Sequence, residues 1–305
     1  MAGVMRIVVT GADGQVGYAL TSQPRVDGVE IVGLNRRSAD VCDASSMQGK
    51  LNRLRPNILV NCAAYTAVDR AETDQAAAFS VNVKGPAILA QWCARNEAVL
   101  IHLSTDYVFS GAEGQAWSED DPFTPINIYG RSKAEGEDAV RAAGARHVIL
   151  RTSWVYAAWG HNFVRTILRL ASEREEISVV DDQWGRPTAA SDIADAIIRV
   201  ANRIRGPSPA FGTFHFANSG ATTWRRFAEA ILDRATDILP RRPRIMPIAS
   251  TDYPTPARRP LNSVLDTRRY ENTFGAIPRP WQSALSEVVA QLSDQFATLR
   301  PGKGL

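Results

Sequence analysis

The sequence predicts an α/β fold in which a doubly wound parallel sheet is joined to a smaller, mixed α/β second lobe. Before residue 154, short apolar runs rich in β-branched residues alternate with longer amphipathic stretches. Strands that alternate with helices form βαβ units, whose right-handed crossovers cover both faces of a parallel sheet. After about residue 220 this alternation breaks down and prolines become frequent. That change predicts extended loops in the second lobe.

The predicted elements follow from this alternation in chain order. The strands are RIVVT, VEIVGL, NILVNCAA, VLIHLST and HVILRTS, and the helices between them include GQVGYALTSQ, QAAAFSVNVKGPAILAQWCARN and NIYGRSKAEGEDAVRAAG. Two later helices, NFVRTILRLASERE and ASDIADAIIRVANRI, surround the apolar ISVV, and GTFHFAN is a further strand. We therefore assign 1–153 with about 186–219 to the parallel-sheet domain, and about 154–185 with 220–305 to the second lobe.

Composition excludes several classes of protein. The chain of 305 residues is 45% hydrophobic and 22% charged, which is typical of a globular protein. Its apolar runs are strand-sized and the first begins near Arg6, so we expect no membrane span, no signal peptide and a cytoplasmic location. A net charge of +3 does not favour nucleic-acid binding. Three cysteines and four histidines are scattered, so we expect neither a disulfide framework nor a metal site.

A glycine-rich turn follows the first strand. Gly11, Gly14 and Gly17 lie between RIVVT and the first amphipathic helix, at the start of a βαβ unit. Glycine permits the tight turn and the approach of a pyrophosphate to the backbone, and the helix N-terminus offers N–H groups to the anion. This context predicts a Rossmann domain that binds a dinucleotide, in the part of the chain assigned to the parallel sheet.

The end of the second strand bears on the choice of coenzyme. An acidic residue there would bind the adenosine ribose and favour NAD, whereas arginine suits the 2′-phosphate of NADP. The chain has Asn35, Arg36 and Arg37 at this place, which favours NADPH over NADH, although both arginines could be solvated turn residues. Asp40 and Val41 follow where adenine would lie.

A serine or threonine, a tyrosine and a lysine form the predicted catalytic group. Thr105, preceded by Ser104, ends the fourth strand, and Tyr129 and Lys133 are one helical turn apart. Reduction of a ketone builds negative charge on oxygen, which needs a hydrogen bond and then a proton. We expect Tyr129 to supply the proton, Thr105 the hydrogen bond, and Lys133 a charge that lowers the pKa of the tyrosine. The order resembles that of the short-chain dehydrogenases/reductases.

Six stretches in order make the resemblance closer. They are NCAAYTAVDRAE, STDYVFSG, NIYGRSKAEGE, RTSWVYAAWGHNF, DDQWGRPT and YPTPARRPLNS. With them the chain resembles the dTDP-4-dehydrorhamnose reductases, extended short-chain reductases that make dTDP-L-rhamnose for bacterial surface polysaccharides. The resemblance implies that Gly14, Gln15 and Val16 bind the cofactor pyrophosphate, that Asp40 and Val41 flank adenine, and that Ala63, Ala64 and Tyr65 line the cofactor. Lys133 would also bind the nicotinamide ribose.

The resemblance also implies substrate contacts. Thr105, Asp106 and Trp154 would touch the sugar, while Asn162, Phe163, Thr188 and the ARRPLNS segment would lie near the nucleotide. Arg259 in that segment is the candidate for the diphosphate, which gives the late arginines a small-molecule role in place of a solvated face. Two alternatives stay open: Trp154 could pack between the lobes, and Asp69 could cap a helix.

One difference from the family concerns a metal. Some members dimerise through a magnesium ion held by carboxylates, and the corresponding positions here are Ala19, Ser191 and Gln291, which supply no negative ligand. We therefore expect no bridging magnesium, and a monomer or a metal-independent homodimer.

The expected activity is NAD(P)H-dependent reduction of dTDP-4-dehydro-β-L-rhamnose to dTDP-β-L-rhamnose, the last step of dTDP-rhamnose synthesis. One alternative is another nucleotide-sugar reductase, epimerase or dehydratase, although the Asp-Glu pair of dehydratases is replaced here by Asp106 and Tyr107. The other is a non-catalytic regulatory subunit of the methionine adenosyltransferase type. The sequence leaves open the coenzyme ratio, the strictness for thymine and the polysaccharide that receives the sugar.

Overall fold

The computed structural model describes residues 4–24, 28–112, 114–239 and 241–299. Residues 1–3 and 300–305, the first and last of the two predicted lobes, lie outside the described residues. The strands are β1 (Met5–Thr10), β2 (Val29–Leu34), β3 (Ile58–Asn61), β4 (Val99–Thr105), β5 (His147–Thr152), β6 (Val155–Tyr156), β7 (Glu176–Val180), β8 (Trp184–Gly185), β9 (Thr188–Ala189), β10 (Gly212–His215), β11 (Thr222–Thr223) and β12 (Arg244–Ile248).

The helices are α1 (Gln15–Thr21), α2 (Ala44–Leu54), α3 (Val68–Ala71), α4 (Gln75–Phe79), α5 (Gly85–Arg95), α6 (Ile128–Ala142), α7 (Phe163–Glu173), α8 (Ala190–Arg205), α9 (Trp224–Arg234), α10 (Arg268–Phe274) and α11 (Trp281–Leu299). A π-helical turn over Ser80–Lys84 joins α4 to α5, so the single helix predicted there is continuous but locally widened. Short 3-10 turns occupy Asp106–Val108 and Ser250–Asp252.

A parallel six-stranded sheet, in the order β2-β1-β3-β4-β5-β10, is the largest sheet in the described residues. Alternate side chains of its strands point to opposite faces, so each face has its own apolar core. Helices α1, α8 and α10 cover one face. Helices α2, α5 and α6 cover the other. The predicted doubly wound α/β fold is therefore confirmed.

The order of the strands creates a crevice at one edge of the sheet. The chain passes from β1 outward to β2 and then returns to β3 on the other side of β1. Loops at the carboxyl ends of β1 and β3 diverge at such a reversal, and ligands of open α/β sheets bind there. The glycine turn after β1 and the Cys62–Tyr65 segment after β3 lie at this point.

A second apolar core lies among α7, α9, α11, β7 and the loops between them. Strands β7 and β12 pair in parallel, and two short pairs, β8 with β11 and β6 with β9, complete this region. The boundaries of the two lobes stay a prediction. Within the C-terminal segment assigned to the second lobe, Tyr270 and Phe274 of α10 pack on the large sheet, against Phe216 and Phe214 respectively.

Candidate active site

A cleft of about 270 Å³ lies at the crevice between the ends of β1, β2 and β3. Nine of the residues predicted to contact the cofactor line it: Gly11, Gly14, Asn35, Arg36, Asp40, Val41, Ala63, Ala64 and Tyr65. Asp13, Ala39, Cys62 and Val81 line it as well. The first three are neighbours of predicted residues in the sequence, whereas Val81 reaches the cleft only through the fold. A mixed polar and apolar cleft at this position fits the adenosine half of a dinucleotide.

The glycine turn has the geometry that such a ligand needs. Gly11 has a φ of +69°, and a Cβ on it would lie 2.6 Å from the backbone nitrogen of Ala63. A Cβ on Gly17 would lie 2.1 Å from the carbonyl oxygen of Gly11. Only glycine therefore allows β1, β3 and α1 to approach one another closely enough to form this cradle. The residues present fit a bound dinucleotide.

Three other predicted cofactor residues lie elsewhere. Val16 and Gly17 are buried beneath the turn. Gln15 points towards the second lobe: its side-chain oxygen accepts a hydrogen bond from Asn162 at 3.0 Å, and its carbonyl accepts one from Trp159. Gln15 thus connects the glycine turn to Asn162, a residue predicted to lie near the nucleotide of the substrate.

The adenosine end of the cleft carries one exposed cation. Arg36 is 87% exposed and reaches Asp40 at 3.5 Å. A hydrogen bond from the backbone of Cys42 holds the pKa of Asp40 below its usual value. Asn35 is committed to the local turn, since its side-chain oxygen accepts from Ser38. The exposed Arg36 would have to exchange this long contact with Asp40 for one with an anionic group beside the ribose.

The three predicted catalytic residues lie side by side at the end of β4 and the start of α6. Asn127 caps α6 by accepting from the backbone of Gly130, which sets the first turn with Tyr129. Gly130 fits because a Cβ there would lie 2.1 Å from the carbonyl oxygen of Tyr107. The Tyr129 phenol lies near Thr105, whose hydroxyl donates to Asp106 at 2.9 Å.

Burial controls the protonation of this group. It raises the pKa of Tyr129 to about 12, against a hydrogen bond with Thr105 that lowers it. Burial also lowers the pKa of Lys133 to about 8, against the negative charge of Glu137. The ammonium of Lys133 donates to the carbonyl of Leu103 at 2.7 Å. In this arrangement the tyrosine is a neutral phenol, and the predicted net lowering of its pKa is wrong, because burial has the larger effect.

Asp106 is a second acidic group within reach of the phenol. Burial raises its pKa to about 6, while hydrogen bonds from Ser263 and Thr105 oppose that rise. Its negative charge in turn raises the pKa of Tyr129. Asp106 therefore helps to keep the phenol protonated.

A larger cavity of about 480 Å³ lies between the end of β4 and the second lobe. Of the predicted substrate residues, Asn162 and Arg259 line it, as does Phe163. Thr105 and Asp106 do not line it directly; Tyr107 does, and its ring meets that of Tyr129 edge-on at 5.5 Å. Tyr129 belongs to one packed cluster with Tyr107 of the larger cavity and Tyr65 of the cofactor cleft, so the phenol lies near residues that line both cavities.

Trp154 and Thr188 are placed behind the wall of this cavity. The indole of Trp154 stacks on that of Trp224, with ring centroids 3.5 Å apart, and Trp224 lines the cavity. Trp154 has a φ of +47°, and its other neighbour is Gly185, where a Cβ would lie 2.3 Å from the ring. Thr188 is fully buried and donates to the carbonyl of Arg186. The sequence did not predict that Trp224 lines this cavity.

Arg259 is held by an acidic partner. Its guanidinium donates to Asp69 at 2.7 Å, and its other terminal nitrogen is buried without a hydrogen-bond partner. Helix α3 is capped by Ala67, and Asp69 lies inside the helix, so the alternative of Asp69 as a helix cap is wrong. Tyr107, Asp69 and Arg259 all line the cavity. A free N–H beside a positive charge suits a diphosphate oxygen.

Neither a metal cluster nor a membrane-spanning helix is present among the described residues. No cluster of three or more His, Cys, Asp or Glu side chains there is arranged to hold a metal ion. Ala19, Ser191 and Gln291 lie on α1, α8 and α11. No helix within the described ranges combines the length and apolar character that a membrane span requires.

Comparison with known proteins gives one consistent result. The family described as RmlD substrate binding domain matches residues 5–294. The dTDP-4-dehydrorhamnose reductase of Sinorhizobium fredii is 44% identical over 287 residues, 93% of this chain and 97% of the relative. Two crystal structures of dTDP-4-dehydrorhamnose reductases are similar, each with a TM-score of 0.88. The structure from Clostridium acetobutylicum is 34% identical and covers 95% of this chain and 100% of its own. The structure from Bacillus anthracis, in complex with NADP, is 33% identical and covers 94% and 99%. With its glycine turn, its Thr105–Tyr129–Lys133 group and these matches over nearly the whole length, the chain belongs to the dTDP-4-dehydrorhamnose reductase family.

Proposed function

We propose that the protein reduces the C4 keto group of dTDP-4-dehydro-β-L-rhamnose with NADPH and yields dTDP-β-L-rhamnose, the last step of dTDP-rhamnose synthesis. The observation that carries this proposal is the position of Tyr129, a neutral phenol near residues that line both the cofactor cleft and the larger cavity. A proton donor is needed at that position, because a hydride from one side and a proton from the other complete the reduction of a ketone.

Three residues of the chain have separate roles in the reaction. The bound nicotinamide supplies the hydride. Tyr129 gives its phenolic proton to the C4 oxygen, and the Thr105 hydroxyl, which can rotate from Asp106 to the substrate, stabilises the charge that develops there. Because the pKa of Tyr129 is raised to about 12, the phenol is fully protonated at neutral pH. The ammonium form of Lys133 stabilises the phenolate left after transfer.

NADPH is the proposed coenzyme, with NADH as a weaker alternative. Arg36 is exposed at the adenosine end of the cleft, where a 2′-phosphate would lie. Among the described residues, Asp40 is the carboxylate that lines the β2 side of the cleft. It is paired with Arg36, so a ribose hydroxyl would compete with that arginine for it. The nicotinamide half would extend along Ala63, Ala64 and Tyr65 towards Tyr129 and Lys133.

The nucleotide half of the substrate is proposed to occupy the larger cavity. Arg259 would bind the diphosphate, and Asn162 would join the nucleotide site to the glycine turn through Gln15. Trp154 would support the wall through its stack on Trp224. Thr188 would hold the same wall from behind. The segments 1–153 with about 186–219 and about 154–185 with 220–305 then act as cofactor and substrate lobes.

We further propose a cytoplasmic protein that is a monomer or a metal-independent homodimer, without a bridging magnesium ion. Cys42, Cys62 and Cys93 are free thiols, as a reducing compartment requires. Neither rival function gains support from the site: Tyr107 stands where a dehydratase acid pair would need glutamate, and its phenol ring packs on Tyr129.

The test is an assay of purified protein with both coenzymes. NADPH should be consumed in the presence of dTDP-4-dehydro-β-L-rhamnose, and Tyr129→Phe should lose about two to four orders of magnitude in kcat while its affinity for NADPH is unchanged. Tyr270→Phe is the matched control, since that buried tyrosine lies in the core of the other sheet face. Normal NADPH binding without turnover in the wild type would refute the proposal in favour of a binding subunit.

A further inference from the structure

A line of buried polar side chains runs from the parallel sheet to the catalytic helix. Thr10 on β1 donates to the side-chain oxygen of Asn61 on β3 at 2.7 Å. The side-chain nitrogen of Asn61 lies 3.0 Å from Nδ1 of His102 on β4. Nε2 of His102 lies 3.5 Å from Nζ of Lys133. All four side chains are almost completely buried, so each polar atom must find its partner within the protein.

The orientation of Asn61 fixes the tautomer of His102. The side-chain oxygen of Asn61 accepts from the backbone N–H of Ala63 at 3.1 Å, a group that can only donate, and the Thr10 hydroxyl donates to the same oxygen. Its NH₂ group therefore faces His102, and Nδ1 of the imidazole must accept. The ring of a neutral histidine carries one proton, so it lies on Nε2 and points to Lys133.

This arrangement places two donors face to face when Lys133 is charged. An ammonium has no acceptor site, so it cannot accept the Nε2–H of His102, whereas an uncharged amine can. The carbonyl of Leu103 accepts from Nζ in either form.

The other titratable groups around the pair act at longer range. Glu137, one turn along α6, favours the ammonium. Cys62, after β3, is a neutral thiol, because burial raises its pKa to about 12. His147 lies near His102, and Arg141 adds positive charge there; with burial and Lys133 this lowers the pKa of His102 well below the usual value. His102 is therefore held neutral, as the geometry requires.

We propose that His102 is a positioning residue that presents its Nε2–H to Lys133 and favours the uncharged amine in the free protein, so that Lys133 takes up a proton from solvent when NADPH binds. This inference rests on the proposed function for its purpose, since the ammonium that forms stabilises the Tyr129 phenolate. The binding of NADPH and the protonation of Lys133 are thereby coupled. The pKa of about 8 for Lys133 places such a change at mildly alkaline pH, where the free protein contains both the amine and the ammonium.

The decisive variant is Asn61→Asp. A carboxylate still accepts from Thr10 and Ala63, but it also accepts from His102, so the imidazole proton moves to Nδ1 and Nε2 becomes an acceptor for the ammonium. Lys133 is then already charged in the free protein. Proton uptake on NADPH binding, measured by calorimetry at pH 8.5 in buffers of different ionisation enthalpy, should be about half a proton or more in the wild type and at least about twofold smaller in Asn61→Asp.

Two controls make the test independent of folding and of the proposed function. Long-range ¹H–¹⁵N spectra of the wild type, assigned by the signal that His102→Leu removes, should show Nε2 protonated and Nδ1 bare; a proton on Nδ1 would overturn the proposal. The double variant Asn61→Asp/His102→Leu should take up as many protons as His102→Leu alone. A smaller uptake in the double variant would mean that the carboxylate acts directly on Lys133 and would overturn the proposal. Failure to reduce the sugar nucleotide would refute the proposed function and leave these measurements unaffected.

Discussion

The buried ion pair behind the catalytic helix gives a stability prediction that follows from its geometry. Arg151 on β5 is 1% exposed and Glu137 on α6 is fully buried, and two hydrogen bonds of 2.9 and 2.8 Å join them. The guanidinium also lies over the rings of Phe109 and Phe123 at 5.2 and 4.8 Å. Arg151→Met removes these contacts and leaves a buried carboxylate with Arg141 as its remaining ion-pair partner.

The cost follows from that loss. Removing one partner of a buried pair typically destabilises a protein by about 3–5 kcal/mol, because the other charge stays buried without compensation. Arg141 is 34% exposed and accounts for one 2.6 Å contact, so it reduces the penalty towards the lower end. We expect a loss of about 3 kcal/mol in the free energy of unfolding. The double change Arg151→Met/Glu137→Leu should recover most of it, since no charge is then left buried.

The assay is urea denaturation at two pH values. Burial alone would raise the pKa of Glu137, but Arg151 and Arg141 hold it below the usual value. Wild-type Glu137 therefore stabilises the fold above its unfolded pKa and loses that contribution as the pH falls. Without Arg151 its pKa rises, the carboxyl protonates earlier, and the deficit of the variant should be smaller at pH 5 than at pH 8.

A surface pair on the same helix provides the control. Arg131 and Glu135 are 62% and 44% exposed and 3.0 Å apart, so Arg131→Met should cost only about 0.5 kcal/mol. If Arg151→Met costs no more than Arg131→Met, or if its deficit does not depend on pH, the reasoning about the buried pair is wrong.

Three further predictions concern the cofactor cleft and the wall of the larger cavity. Arg36→Ala should weaken kcat/KM with NADPH about tenfold and leave NADH unchanged, because only the 2′-phosphate uses the guanidinium; an unchanged coenzyme ratio would exclude that role. Gly185→Ala should cost about 1–3 kcal/mol in urea, since the new Cβ displaces the Trp154 ring at 2.3 Å, and an equally stable variant would contradict this. Arg259→Met should raise KM for the sugar nucleotide with little change in NADPH affinity, as calorimetry with dTDP would show, whereas unchanged dTDP binding would remove Arg259 from the site.

The sequence predicts the parts of the site that depend on local pattern. The glycine turn, the end of β4 at Thr105 and the spacing of Tyr129 to Lys133 each follow from a few neighbouring residues, and the structure places all of them as expected. The predicted strands overlap β1 to β5, because turn residues and apolar runs mark them, but β3 ends at Asn61 and β10 at His215, each three residues before the predicted end.

What the sequence does not predict is side-chain pairing over long separations. The packing of distant segments produces the pairs Arg259 with Asp69 and Trp154 with Trp224, and no local sequence pattern predicts these pairs. The same limit explains the pKa of Tyr129. Spacing alone suggested that Lys133 lowers it, whereas burial of both groups has the larger effect. Protonation follows from the surroundings of a group, which exist only after folding.

The most direct test of the account follows the hydride itself. The purified protein is incubated with dTDP-4-dehydro-β-L-rhamnose and NADPH that carries deuterium on the transferable position of the nicotinamide, and the product is examined by NMR. The account predicts dTDP-β-L-rhamnose with deuterium at C4 and one NADPH consumed for each product. A product without deuterium, or an unchanged substrate beside bound NADPH, would contradict it.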